Sequence, residues 1–176
     1  MVLRHTLTVT PVGELTLVAE DEALVGVYFE HDSDSTIDTG IWVSPADSVL
    51  SEAADQLHAY FSGALTEFSI NYSLPNSTFS SRVWRELETI PYGHTTTYGD
   101  IARALRKPGA ARAVGSAVGR NPLSIIVPCH RVIGADGTIT GYAGGLDRKR
   151  YLLQLEYRQL SIRNGQTNDS LDIFSL

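Results

Sequence analysis

The stretch Ile125-Ile126-Val127-Pro128-Cys129-His130-Arg131-Val132-Ile133 constrains this chain more than any other. Three β-branched residues lead in and two lead out, the composition of a buried run. Pro128 interrupts it, because proline has no N–H for a ladder and its ring fixes φ. The chain must therefore turn where the sulfur of Cys129 sits, inside an apolar frame. Cys129 is the only cysteine of the 176 residues, and a histidine follows it directly. A single cysteine is more often a small buried hydrophobe than a nucleophile, so its neighbourhood decides the reading.

Ahead of that stretch the patterning is of two kinds. Residues 4–30 carry strand signals at Leu7 and Val9, at Leu15, Leu17 and Val18, and from Leu24 to Phe29. Gly13 and Glu20-Asp21-Glu22 separate them, which predicts an antiparallel meander. Residues 31–43 are polar and Asp-rich, a loop. Ser44-Pro45 is a helix start, with Leu50, Ala53, Ala54, Leu57, Tyr60 and Phe61 as the apolar stripe and Gly63 as the stop. Residues 71–77 read as a linker. A helix from about Thr78 then carries Phe79, Val83, Trp84 and Leu87 on one side, and Ile90-Pro91-Tyr92-Gly93 breaks it. A short helix over 101–105 comes after a start signal at Thr97-Tyr98-Gly99-Asp100, and Lys107-Pro108-Gly109 turns the chain into a second helix over 110–120. That spacing suits a helix-turn-helix, although helical hairpins are also common core elements. The second helix is made of small residues with Arg112 and Arg120 projecting. Glycine inside a helix costs up to about 1 kcal/mol relative to alanine, so Gly115 and Gly119 need a reason. A narrow minor groove is one and tight helix packing is another. Beyond Cys129, 134–137 is a turn, 138–145 is a glycine-rich loop, and Asp147 is expected to cap a last helix with Tyr151, Leu152 and Leu155 facing the core. The expected fold class is α+β: a small N-terminal antiparallel sheet with a helix (residues 1–77, including the linker), then a mainly helical domain with a helix-turn-helix (78–163) and a flexible tail (164–176).

Whole-chain charge conceals the partner. The net charge of −6 looks wrong for a nucleic-acid binder. Residues 1–81, however, hold twelve acidic side chains against Arg4 alone, while residues 82–150 hold eleven Lys or Arg against five acids, a local net of +6. A basic block confined to one region is the footprint of a polyanion site or of an ordinary solvated face. One cysteine excludes a Cys-rich zinc site and an internal disulfide, and fits a reducing compartment. Histidines at 5, 31, 58, 94 and 130 lack ligand spacing, so no metal is expected. The N-terminus carries no signal-peptide pattern and no apolar run reaches spanning length, so neither secretion nor a membrane is expected.

From about residue 79 to 156 the chain resembles the catalytic domain of O6-alkylguanine-DNA alkyltransferases. The matching pieces are Val83-Trp84, Ile90-Pro91-Tyr92-Gly93, Tyr98-Gly99, Ala110-Ala111-Arg112-Ala113-Val114-Gly115, Asn121-Pro122, the Ile126-to-Gly134 segment around Pro128-Cys129-His130-Arg131, and the loop from Gly141 to Leu146. The resemblance implies Cys129 as alkyl acceptor, His130 as its base through a water, and Glu156 as the group that orients His130. It implies Asn121 holding the turn, and Tyr98 helping to rotate the nucleotide and donating a proton to the leaving guanine. Arg112 would fill the gap left by the flipped base. DNA-facing residues are then expected to be Thr97, Ala110, Ala111, Arg112, Gly115, Ser116 and Arg120, with Val132, Tyr142, Ala143, Gly144 and Gly145 lining the substrate pocket. Ser80 and Ser81 stand at surface positions where the family often has glutamines, and Ala143 stands where a glycine or serine is expected.

The function expected from this resemblance is single-turnover direct reversal: O6-alkylguanine is flipped from duplex DNA and its alkyl group is moved irreversibly to Cys129. The expected partner is double-stranded DNA, met in the minor groove without sequence preference by a monomer, with cooperativity on DNA left open and no cofactor. The expected place is the bacterial cytoplasm. A non-catalytic damage-flagging module is the alternative. It would not need Cys129, His130 or Glu156, and the related lesion-binding group carries tryptophan at the cysteine position.

Overall fold

A computed structural model describes residues 2–29, 41–42, 47–76 and 78–165. The chain divides into two compact units, Met1–Pro75 with Pro122–Ile126, and Asn76–Asn121 with Val127–Leu176.

In the first unit β1 (Leu3–Thr10), β2 (Gly13–Glu20) and β3 (Ala23–Phe29) form the antiparallel meander, in sheet order β3-β2-β1-β4. The fourth strand, β4 (Ile41–Trp42), pairs parallel to β1 through Arg4 and His5. It falls within the expected 31–43 loop, and two residues are too few to show a periodicity. Helix α1 (Ser48–Phe61) covers one face of the sheet, burying Leu50, Ala53, Leu57 and Tyr60 over Leu15, Leu17, Leu24 and Val27. Its N-cap is Asp47, whose carboxylate accepts from Leu50 N at 3.1 Å. The side-chain cap thus sets the start later than Ser44-Pro45, which lies outside the described residues.

Two strand details differ from the simple hydrophobic pattern. In β1 the buried positions include Thr6, Thr8 and Thr10, whereas Leu7 and Val9 stand outward at 47% and 74% exposure. Thr8 Oγ1 shares a 3.1 Å hydrogen bond with His58 of α1, so the helix-facing side of this strand is partly polar. In β3 the register slips opposite Val18 and Ala19, which pair with Gly26 and Leu24. A Cβ on Gly26 would lie 2.3 Å from Tyr28 Cε2, so at the bulge the Tyr28 ring lies over the space that glycine leaves.

The outer edge of β3 is not left open. Leu24 pairs in parallel with Tyr72 through Leu24 N to Asn71 O (3.0 Å) and Ser73 N to Leu24 O (2.9 Å). Val27 does the same with Leu123 through Pro122 O (2.8 Å) and Ser124 N (3.3 Å). Short partners of this kind blunt a sheet edge. They also explain why the expected boundary at residue 77 is not a single cut: 122–126 returns to the first unit because β3 has unsatisfied backbone groups to offer it.

The second unit begins with α2 (Phe79–Leu87), capped by a reciprocal Thr78–Ser81 box. Ser81 is therefore buried at 2% exposure and structural, not a surface position. Strand β5 (Thr96–Thr97) leads into α3 (Tyr98–Ala104), three residues earlier than the expected start, because Thr97 and Asp100 form a second capping box. Helix α4 (Ala111–Val118) comes after a turn and packs on α2 and α3, with Trp84 Nε1 donating to Ala117 O at 2.8 Å. The last helix, α5 (Leu146–Arg163), begins after Gly145 at φ 87° with no side-chain cap. Asp147 lies inside the first turn, so it favours the dipole without capping. Leu152 and Leu153 are buried, whereas Tyr151 is 38% exposed, one residue off the inward face. Residues 166–176, most of the expected tail, lie outside the described residues.

Candidate active site around Cys129

The 125–133 stretch is not one continuous strand, although its composition reads as a buried run. Ile126 N bonds to Ser124 O at 2.9 Å across Ile125, which sits at φ 74°. Cys129 N bonds to Val127 O at 2.8 Å across Pro128, at φ −80° and ψ 62°. These are γ-turns of opposite hand; the one of positive φ is the strained form, and a β-branched residue occupies it. Pro128 by contrast sits near the relaxed inverse form, which its ring favours. Asn121 Nδ2 donates to Val127 O at 2.8 Å, so the carbonyl of the second turn is held from outside it. Residues Cys129–Arg131 then form one 3₁₀ turn that runs into β6 (Val132–Ile133). Because β6 pairs with β5, Val132 and Ile133 stand beside Thr96 and Thr97, and the start of α3 is brought to the cysteine segment.

Cys129 and His130 are both buried, at 4% and 0% exposure. His130 Nε2 lies 2.7 Å from Glu156 Oε1 on α5. The carboxylate accepts three more bonds: from Gly93 N (3.0 Å), Arg131 Nε (2.9 Å) and Arg131 Nη2 (3.0 Å). Burial pushes the Glu156 carboxyl upward, but His130 and Arg131 outweigh it and leave the group well below the ordinary carboxylate range. Burial lowers His130 below its usual value against the pull of Glu156, which favours the neutral ring. A neutral imidazole carries one proton, and an ionised Glu156 requires it on Nε2. Nδ1 is then a bare acceptor, and it is buried without a hydrogen-bond partner in the protein. The arrangement is a thiol followed by an oriented base, with the orienting carboxylate itself fixed on four sides.

Arg131 is a residue that sequence reasoning left without a role. Its Nη1 donates to Ile90 O at 2.6 Å, so the guanidinium ties the 90–93 turn to Glu156. Lys149 is a second. Its side chain is fully buried, and Nζ donates to Val132 O and Thr140 O, both at 2.5 Å, and to Gly141 O at 3.4 Å. Burial pulls its pKa down to about 8, while negative charge on Cys129 opposes that shift. The signal available in the sequence is only a lysine one turn into a charged helix, which usually means solvent.

Tyr98 is half-buried at the N-terminus of α3, and its hydroxyl donates to Thr140 O (3.0 Å) and Gly141 O (3.4 Å). Burial raises its pKa, and the hydrogen bond with Thr140 opposes that shift only in part. In this structure the phenol proton is engaged by the same two loop carbonyls that Lys149 holds. The rest of that loop has Gly144 buried, Tyr142 half-buried, and Ala143 and Gly145 exposed, with Arg148 Nη1 on Gly144 O at 3.1 Å.

On α4, Arg112, Ser116 and Arg120 recur every four residues as an exposed stripe, although Arg120 lies just beyond the helix end. Ala110 is the N-cap residue and Ala111 the first helical one, both half-buried. A Cβ added to Gly115 would meet the Tyr98 ring at 3.7 Å, an ordinary contact. Packing inside the chain therefore does not require glycine at 115. Thr97, the N-cap of α3, spends its hydroxyl on Asp100 at 2.5 Å.

This geometry belongs to a known protein class. Residues 78–158 match the model of the 6-O-methylguanine DNA methyltransferase DNA-binding domain, and residues 3–74 match that of the ribonuclease-like domain of the same protein. A methylated-DNA–protein-cysteine methyltransferase of Mycolicibacterium paratuberculosis is 52% identical over 85% of this chain and 89% of its own. One from Methanosarcina acetivorans is 46% identical over 84% of this chain and 94% of its own. Among solved structures, the Mycobacterium tuberculosis O6-methylguanine methyltransferase superposes with a TM-score of 0.82 at 43% identity, covering 97% of this chain and 98% of that one. The Mycobacterium tuberculosis OGT in complex with DNA gives 0.81 at 46% identity, over 90% and 94%. With both units matched and the relatives aligned along nearly their whole length, the chain belongs to the 6-O-methylguanine DNA methyltransferase family.

Proposed function

We propose that this protein is a methylated-DNA–protein-cysteine methyltransferase that reverses O6-alkylguanine directly, on Cys129, once per molecule. The observation that carries the reading is the buried His130–Glu156 pair directly after the cysteine, with Nδ1 left as the acceptor.

The O6-alkyl carbon carries a modest leaving group, so displacement needs a polarisable nucleophile. A free thiol near pKa ~8.5 is mostly protonated at neutral pH. His130 Nδ1 takes that proton through a water, and Glu156 stabilises the imidazolium that results. The Sγ–C bond forms as the C–O6 bond breaks, and the electron pair passes to the guanine ring. Tyr98 donates to the base as that charge builds, giving up Thr140 O to do so. The products are guanine and S-alkylcysteine. A thioether has no easy route back to the thiol, so the protein is consumed.

The damaged base is unreachable inside the stack, and extrusion costs a few kcal/mol. Arg112 fills the space the base leaves, while the small face of α4 lies in the minor groove and phosphate contacts supply affinity without sequence preference. Val132 and the 142–145 loop line the pocket. The protein acts as a monomer in the bacterial cytoplasm.

Intact-mass measurement after mixing with a duplex containing one O6-methylguanine tests the reading. One CH₂ gained at Cys129, absent with undamaged DNA and in Cys129→Ser, is expected. Tight lesion binding with no mass change would sink it in favour of a damage-flagging module.

A further inference from the structure

Among the described residues, three cations that join no ion pair lie around the corner formed by the first turn of α2: Arg82 on α2 itself, Lys107 from the turn between α3 and α4, and Arg120 from just beyond the end of α4. Arg82 Cζ and Lys107 Nζ lie 5.8 Å and 5.7 Å from the centroid of the same Phe79 ring. At the next residue, Ser80 Oγ accepts from Arg120 Nη2 at 3.2 Å, and Ser116 Oγ accepts from Nη1 at 2.6 Å. Arg82, Lys107 and Arg120 are all exposed.

Exposed cations without counter-ions set around one helix start make a positive surface, a seat for an anion. A surface arginine that only solvates its face needs no side-chain tethers. Arg120 has two, which hold its guanidinium in one orientation before any partner arrives. Of the five N–H groups on a guanidinium these tethers engage two, leaving the others to donate. The seat also continues an existing line. Arg112, Ser116 and Arg120 form one stripe, and eight residues at 1.5 Å rise place the last roughly 12 Å along the axis from the first. A partner lying along that stripe reaches the corner next, and its chemistry is that of repeated negative charges.

We propose that Arg82, Lys107 and Arg120 form a clamp for backbone phosphates of the duplex DNA strand flanking the lesion. This rests on the DNA-repair reading above. The clamp adds affinity without touching the flipped base, so it acts alike on damaged and undamaged duplexes.

The test is binding of the full chain to a labelled undamaged duplex over a series of salt concentrations, for the wild type and Arg82→Gln/Lys107→Gln. Each phosphate contact contributes about 0.9 to the slope of log affinity against log salt, so the double variant should lose about 1.8. Arg120→Gln, a change at an independently tethered site, should lose about 0.9 more, with circular dichroism confirming the fold of each. The ratio of affinities for lesion-bearing and undamaged duplexes, measured in a Cys129→Ser background, should hold constant. Unchanged slopes in both variants overturn the clamp while leaving the repair reading intact. A falling ratio also overturns it, because the cluster then senses the lesion. A wild type with no salt-dependent duplex binding removes the repair reading itself.

Discussion

Glu156→Gln isolates the group on which the site is built. The carboxylate accepts four N–H bonds, two on each oxygen, from His130 and Arg131 on Oε1 and from Gly93 and Arg131 on Oε2. An amide keeps one oxygen, so in either orientation its NH₂ faces two donors. Arg131, at 7% exposure, is left with a buried charge and no counter-ion. Removing one member of such a pair costs about 3–5 kcal/mol. With a urea slope of about 2 kcal/mol per M, the unfolding midpoint should fall by about 2 M. The amide also lets His130 carry its proton on Nδ1, which removes the base, so single-turnover alkyl transfer should slow with the loss of stability. Adding Arg131→Met removes the stranded cation. It should restore part of the stability and none of the rate. The sign with pH comes from the depressed Glu156 value: its contribution is complete above the unfolded carboxylate pKa of about 4.3 and is lost as pH falls through the lower folded value. The variant should therefore show a flatter acid limb. A midpoint within about 0.3 M of the wild type, together with an unchanged rate, would refute the account of this carboxylate.

Two further expectations concern residues outside the cysteine turn. Lys149→Met removes a lysine whose folded pKa is lowered to about 8, a shift that makes wild-type stability rise with pH between about 8 and the unfolded value of 10.5. Urea unfolding at pH 7, 9 and 10 should lose that rise, and transfer should slow several-fold because the carbonyls of Val132 and Thr140 lose their shared donor. A rise that persists in the variant would show that Lys149 is not its source. Gly115→Ala places a methyl at ordinary contact with Tyr98, so thermal stability should increase by up to about 1 kcal/mol from helix propensity while duplex affinity falls. Unchanged affinity would return the small-residue face of α4 to a role in packing.

Local chemistry was legible early. The meander could be read because period-two apolarity and turn residues alternate in 4–29, and α2 because Thr78 precedes an apolar stripe. Cys129 and His130 stand out in the sequence itself, whereas Glu156 enters through family resemblance and not from the helix, since a glutamate on a helix ordinarily faces water. The structure departs from the sequence pattern at element ends and faces. The starts of α1 and α3 depended on which side chain won the cap. The buried side of β1 depended on threonines that find partners only once α1 is in place.

By itself the sequence determined the punctuation of this protein: where strands and helices run, that the chain turns at Pro128, and that a thiol and an imidazole are neighbours there. Each comes from dihedral restriction or periodicity within a few residues. Tertiary structure decided what lies dozens of residues apart. It placed Glu156 against His130 and Arg131, sent Lys149 inward to carbonyls on β6 and on the glycine-rich loop, and returned 122–126 to the edge of β3. The physical reason is the same in each case. A buried charge or an open backbone group must be satisfied, and which partner satisfies it is settled only when distant segments meet.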